Sequence, residues 1–178
     1  MKNEITGMRL RLIVMNFLQF AVWGAYLTSM GTYLFNIGLG AKIGLFYAMQ
    51  GIVSLFMPAI MGIIADRWVP AQKLYGFCHF MAAVFMVAAG WYGYVDGEAV
   101  NFGTLFTFYS LSVAFYMPTL ALTNSVAYTA LDKVKLDPVI AFPPIRIFGT
   151  IGFICSMLLT DILGFQNNYM QFFSCACF

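Results

Sequence analysis

The chain has 178 residues, of which 62% are hydrophobic, 18% aromatic and only 9% charged, with a formal net charge of +2 and a mean hydropathy of +0.84. Ordinary soluble domains carry about 25% charged residues, so a water-solvated fold is excluded, and so small a net charge gives no footing for a nucleic-acid partner. Apolar runs of ~20 residues and more place the chain in the transmembrane class.

The first run, residues 12–35, is longer than a signal-peptide core and has no clear small-residue cleavage site, so it is read as a retained first span. Asn16, Gln19, Trp23 and Tyr26 fall on one broad face of that helix. Polar side chains in a membrane bundle serve as interhelical glue, and this face taken alone reads as glue; Gln19 and Trp23 are also candidates for contact with a ligand. A second span, residues 43–65, carries Gln50 at membrane depth and Pro58.

The loop that follows reads GIIADRWVPAQK, with Gly62, Asp66, Arg67 and Lys73 at the membrane edge. It resembles the major facilitator signature GxxxDRxGRK, with Val69 and Pro70 standing in the stretch of the second glycine and the last basic residue displaced to Lys73. A glycine there permits close helix approach, and a carboxylate beside cations can latch one conformation at a helix end. A generic basic loop is the competing reading.

A third span covers residues 74–94, with His79, the single histidine, expected near its end as an interfacial residue. The fourth, residues 102–128, holds Pro118 and Asn124, the latter a candidate by polarity and depth alone. The fifth, residues 138–164, opens on Asp137 and Pro138, a cap and a first helical residue. Arg146 then lies eight residues along, about 12 Å into the helix. A charge at that depth costs about 2.5–3.5 kcal/mol on insertion scales and usually faces a partner or a wet cavity. Thr150 and Phe153, four and seven residues further, return to its face, giving one stripe of cation, hydroxyl and aromatic plane suited to a neutral polar ligand with a flat ring. The alternative is a structural arginine, if the helix instead begins at Pro144. A sixth segment, residues 169–178, is too short to cross a bilayer, and the chain is expected to be incomplete.

Sorting basic residues by loop puts Lys2, Arg9, Arg11, Arg67, Lys73, Lys133 and Lys135 on one side and Lys42 on the other. By the positive-inside rule the N-terminus is cytoplasmic, with Asp96, Glu98 and Asp161 near the outer face. Cys78, Cys155, Cys175 and Cys177 lack the spacing of a zinc site or disulfide framework and read as packing residues. No metal, cofactor or catalytic motif is expected: HExxH, GxSxG and a second histidine are all missing.

Four segments, FLQFAVWGAYLTSMGTYLF, the DRW loop, FYMPTLALTN and FPPIRIFGTIGF, agree in order and spacing with one family: together they resemble the nucleoside:proton symporters related to bacterial nucleoside permeases, within the major facilitator superfamily. The resemblance covers spans one to five. It implies an all-α bundle forming the N-terminal half of a facilitator fold, with a C-terminal six-helix half absent, in a bacterial inner membrane. It implies nucleoside as cargo and a proton as coupling ion, and it carries nucleoside contact onto Arg146, Thr150 and Phe153. Every acid sits at or near a span end, so the coupling group is expected in the absent half. Two further readings are a non-transporting fragment and a facilitator-type carrier of another small polar solute.

Overall fold

A computed structural model describes residues 2–178; Met1 and the side chains of Lys2, Asn3 and Glu98 lie outside it, and with them the charge placement expected for Lys2 and Glu98. Among the described residues seven α-helices follow in order: α1 (Lys2–Tyr26), α2 (Met30–Asn36), α3 (Ile43–Arg67), α4 (Ala71–Asp96), α5 (Phe102–Lys133), α6 (Pro138–Ile162) and α7 (Met170–Cys177). Five segments are long and apolar enough to cross a membrane: Glu4–Asn36, Gly40–Arg67, Ala71–Asp96, Phe102–Lys133 and Pro138–Ile162. In hydrocarbon every backbone polar group must be satisfied within the protein, which is why these apolar stretches are helical over nearly all of their length.

The outward surface is apolar. Leu55, Phe56, Phe80, Ile147 and Ile162 are all strongly exposed, an arrangement that lipid solvates and water does not. Inside, α5 packs against α3 and α4 on one flank and against α1 and α6 on another. Its buried Leu105, Tyr109, Val113 and Tyr116 join Tyr26, Met30 and Phe46 in the main core, while Leu12, Leu131, Phe142 and Ile145 form a second core at the N-terminal end of α1.

The first span is not one helix. It breaks over residues 27–29, between α1 and α2, where the freed backbone groups find side-chain partners: Tyr47 of α3 donates to the Leu27 carbonyl at 2.7 Å. Ser29 donates to Gln171 of α7 at 2.9 Å, tying the break to the start of the last helix. The connections use left-handed backbone at Gly38, Gly97 and Gly164, where a Cβ would be strained.

Helix α6 begins at Pro138, with the Asp137 carboxylate accepting from the Val139 amide at 2.9 Å. A start at Pro144 is thereby ruled out. Pro143 and Pro144 lie inside the helix, where each removes a backbone donor.

Candidate functional site

The site is built on the crossing of α1 and α6, which small residues make close. A Cβ at Gly24 would run into the backbone carbonyl of Phe153, and one at Gly152 into that of Phe17. Two hydroxyls seal the seam further along, Ser156 donating to the Ala21 carbonyl at 2.5 Å and Thr160 to the Ala25 carbonyl at 3.3 Å. Glycines and small hydroxyl residues let membrane helices meet backbone to backbone, where lipid gives no hydrophobic drive for association.

On this seam Arg146 is half-buried and lays its guanidinium over the ring of Phe20, with Cζ 3.9 Å from the ring centroid. Gly149 provides the room: a Cβ there would stand 2.7 Å from Phe20 Cδ2 and 2.8 Å from Arg146 Nη1. The contact holds the cation by the negative face of the ring and leaves its in-plane N–H donors unspent. No carboxylate pairs with Arg146 among the described residues. Trp23 adjoins Phe20, ring centroids 6.3 Å apart, and its indole N–H is shielded yet has no acceptor among the described residues. Thr150, one turn beyond Arg146, is exposed, and Phe153 is half-buried with its backbone against Gly24. The arrangement offers a fixed planar donor, a free hydroxyl and aromatic faces, which can hold a flat polar ring by stacking and hydrogen bonds.

Gln19 sits next to Phe20 in sequence but serves the bundle interior. Its Nε2 donates to Thr119 Oγ1 at 2.8 Å; its Oε1 accepts from Tyr75 at 2.8 Å and from Thr123 at 3.1 Å. His79 Nε2 is 2.8 Å from the same oxygen, and Tyr116 donates to the Gln19 backbone carbonyl at 2.6 Å. One amide thus ties α1 to α4 and α5. His79 is correspondingly not interfacial, as its sequence position suggests, but half-buried and turned inward onto this amide. Gln19, Tyr75, His79 and Tyr116 also line a cavity of about 380 Å³ that Arg146, Thr150 and Phe153 do not reach.

The other sequence candidates scatter. Gln50 is buried and donates to the Tyr26 hydroxyl at 3.3 Å, bridging α3 to α1. Asn16 is fully buried but spends its amide on the Leu12 carbonyl of its own helix, at 2.9 Å, rather than between helices. Asn124 is exposed on α5, away from the Gln19 network. Asp66 and Arg67 close α3 and Lys73 opens α4, all exposed and without an ion pair among the described residues. Gly62 meets nothing where a Cβ would stand, so the close helix approach expected of it is absent within this bundle, and Gly51 stands in the same open space. Phe20 and Gly149 had no polar signal to mark them. The spacing of Phe20 and Arg146 is visible only once α1 and α6 cross.

Residues 6–178 match the family model described as nucleoside H+ symporter. The chain is 40% identical over 166 residues to the xanthosine permease of Escherichia coli (strain K12), covering 92% of this chain and 38% of that protein. It is 38% identical over 170 residues to the nucleoside permease NupG of the same organism, covering 94% and 39%. The crystal structure of the nucleoside transporter NupG superposes with a TM-score of 0.85 at 37% identity, covering 96% of this chain and 41% of that one; a mutant form gives 0.88 at 38%. The chain spans about two-fifths of the length of the relatives it matches.

Proposed function

We propose that this chain, which belongs to the nucleoside H+ symporter family, forms the N-terminal helix bundle of a proton-coupled nucleoside carrier, a transporter and not an enzyme. The bundle stands in a bacterial inner membrane with its N-terminus in the cytoplasm, as the concentration of Arg and Lys on that side favours. A C-terminal six-helix half closes the other wall of the cleft, in the manner of carriers built from two related halves.

The observation that carries this reading is Arg146, a half-buried cation in a spanning helix, held on Phe20 with no carboxylate partner among the described residues. An ionised group in a membrane segment marks a substrate or ion path unless something neutralises it. Arg146 donates to ribose or base oxygens, Thr150 adds a hydroxyl contact, and Phe153 stacks or packs on the ring. Trp23, with an unspent indole N–H beside Phe20, is a further contact. Gln19, Gln50 and Asn124 stand below these: Gln19 and Gln50 hold helices together, and Asn124, exposed on α5, rests on its polarity alone. Asp66, Arg67 and Lys73, near Gly62, latch one conformation by pairing across the two halves.

The proton is carried elsewhere. Glu4, Asp66, Asp96, Asp132, Asp137 and Asp161 all lie at helix ends or in loops, so a carboxylate within the membrane belongs to the C-terminal half. The test is radiolabelled uridine uptake into proteoliposomes by this bundle joined to the C-terminal half of NupG, with and without an imposed pH gradient. Uptake driven by the gradient and lost in Arg146→Ala is expected. A folded, inserted protein with no uptake at all overturns the nucleoside assignment.

A further inference from the structure

We propose that the pocket between the first turns of α1 and the α5–α6 connection binds the phosphate headgroup of an anionic phospholipid. The pocket has a volume of about 660 Å³ and draws its cations from two distant parts of the chain, Arg11 from α1 and Lys133 and Lys135 from the end of α5 and the turn beyond it. None of the three forms an ion pair among the described residues. Glu4 is the one carboxylate among the lining residues, leaving the wall positive by two. Asp137, nearby in sequence, has its carboxylate turned to the Val139 amide.

The backbone supports a built site. Lys135 is the single described non-glycine residue with positive φ, at 57°, in the turn closed by Lys135 N to Asp132 O at 2.9 Å and Leu136 N to Leu131 O at 3.1 Å. That position at a helix end normally belongs to glycine or asparagine, and a Cβ there is sterically strained. Lys135, exposed and held in this strained conformation, is one of the residues that line the pocket. Such an outlier is a pointer to function.

The occupant is a lipid because the pocket is amphipathic and lies at the ends of membrane spans. Ile5 and Met8 line it beside the cations. Leu10, Val139 and Ile140 on the adjoining helix turns are exposed at 60%, 75% and 74%, an apolar skirt for acyl chains below the headgroup. Basic pockets between transmembrane helices take phosphate-bearing headgroups in this way. Bound there, the lipid clamps α1 to the α5–α6 connection.

The experiment is native mass spectrometry of the 178-residue chain with equal amounts of phosphatidylglycerol and phosphatidylcholine. Retention of phosphatidylglycerol is expected to exceed that of phosphatidylcholine by about twentyfold, falling to parity in the double variant Lys133→Gln, Lys135→Gln. The double variant Arg67→Gln, Lys73→Gln, which removes the same charge from the other loop on that side, should keep the preference. Lys135→Gly relieves the backbone and removes one charge, so it should fold at least as well as the parent and still lose several-fold in lipid retention. Equal loss in both double variants, equal retention in both, or displacement of the lipid by millimolar inorganic phosphate overturns the proposal.

Discussion

The guanidinium of Arg146 rests on the face of Phe20, 3.9 Å from the ring centroid, because Gly149 leaves no side chain between them. In a carrier completed by a second half, Arg146→Ala is expected to weaken uridine binding by about 1.5–3 kcal/mol, the worth of a hydrogen bond to a charged group. Arg146→Lys should restore little, since an ammonium has neither the planar fork nor the stacking surface. Equilibrium binding corrected for folded yield measures both, and unchanged affinity moves Arg146 to a structural role.

In the proposed site Phe20 acts on the ligand through Arg146, which rests on its ring. Phe20→Leu should cost about 0.5–2 kcal/mol of binding, the range of a cation–π contact, while Phe20→Tyr keeps most of it. A melting temperature lowered equally by both, with no split in affinity, would show packing alone.

Thr150 is exposed and its hydroxyl has no partner among the described residues. Thr150→Val should therefore leave thermal stability unchanged and reduce nucleoside affinity by about 0.5–1.5 kcal/mol, one neutral hydrogen bond. Loss of stability without loss of affinity counts against it as a contact.

The seam of α1 and α6 depends on backbone contact at two glycines. Gly152→Ala places a methyl group against the Phe17 carbonyl and should destabilise the bundle by about 1–3 kcal/mol. Gly51→Ala and Gly62→Ala, where nothing stands within 4 Å, should be neutral or slightly stabilising through helix propensity. Unfolding in mixed micelles ranks the three, and equal effects would mean that the seam is not close-packed.

Gln19→Leu removes the four hydrogen bonds of its side chain and strands Tyr75 and His79, while Thr119 and Thr123 keep their bonds to the Tyr116 and Thr119 carbonyls. A cost of about 1–3 kcal/mol per stranded buried group makes it far more disruptive than Gln50→Leu, which loses one 3.3 Å contact. If Gln19→Leu instead folds normally and loses only uridine affinity, the amide is a ligand group and not a tie between helices.

Composition and hydropathy by themselves determined the solvent and the helices, because a chain this apolar has no low-energy state in water and no way to satisfy its backbone in lipid except locally. The cap at Asp137 and the helical phase of Arg146, Thr150 and Phe153 were equally legible, since both are rules of a single helix. The motif segments placed the chain in its family, which the comparisons then showed. Contacts between helices were not legible. Gln19 and His79, read separately as a possible ligand group and an interfacial residue, turn out to face each other at 2.8 Å across two helices, and the break after Tyr26 is visible only where Tyr47 and Ser29 donate to the carbonyls around it. Phe20 and Gly149 carry no polar mark at all, and Lys135 looks like any loop lysine until its backbone is seen at positive φ. One helix repeats by rules its own sequence contains, whereas which faces meet is fixed by the fit of many side chains at once. Only the tertiary structure decides that.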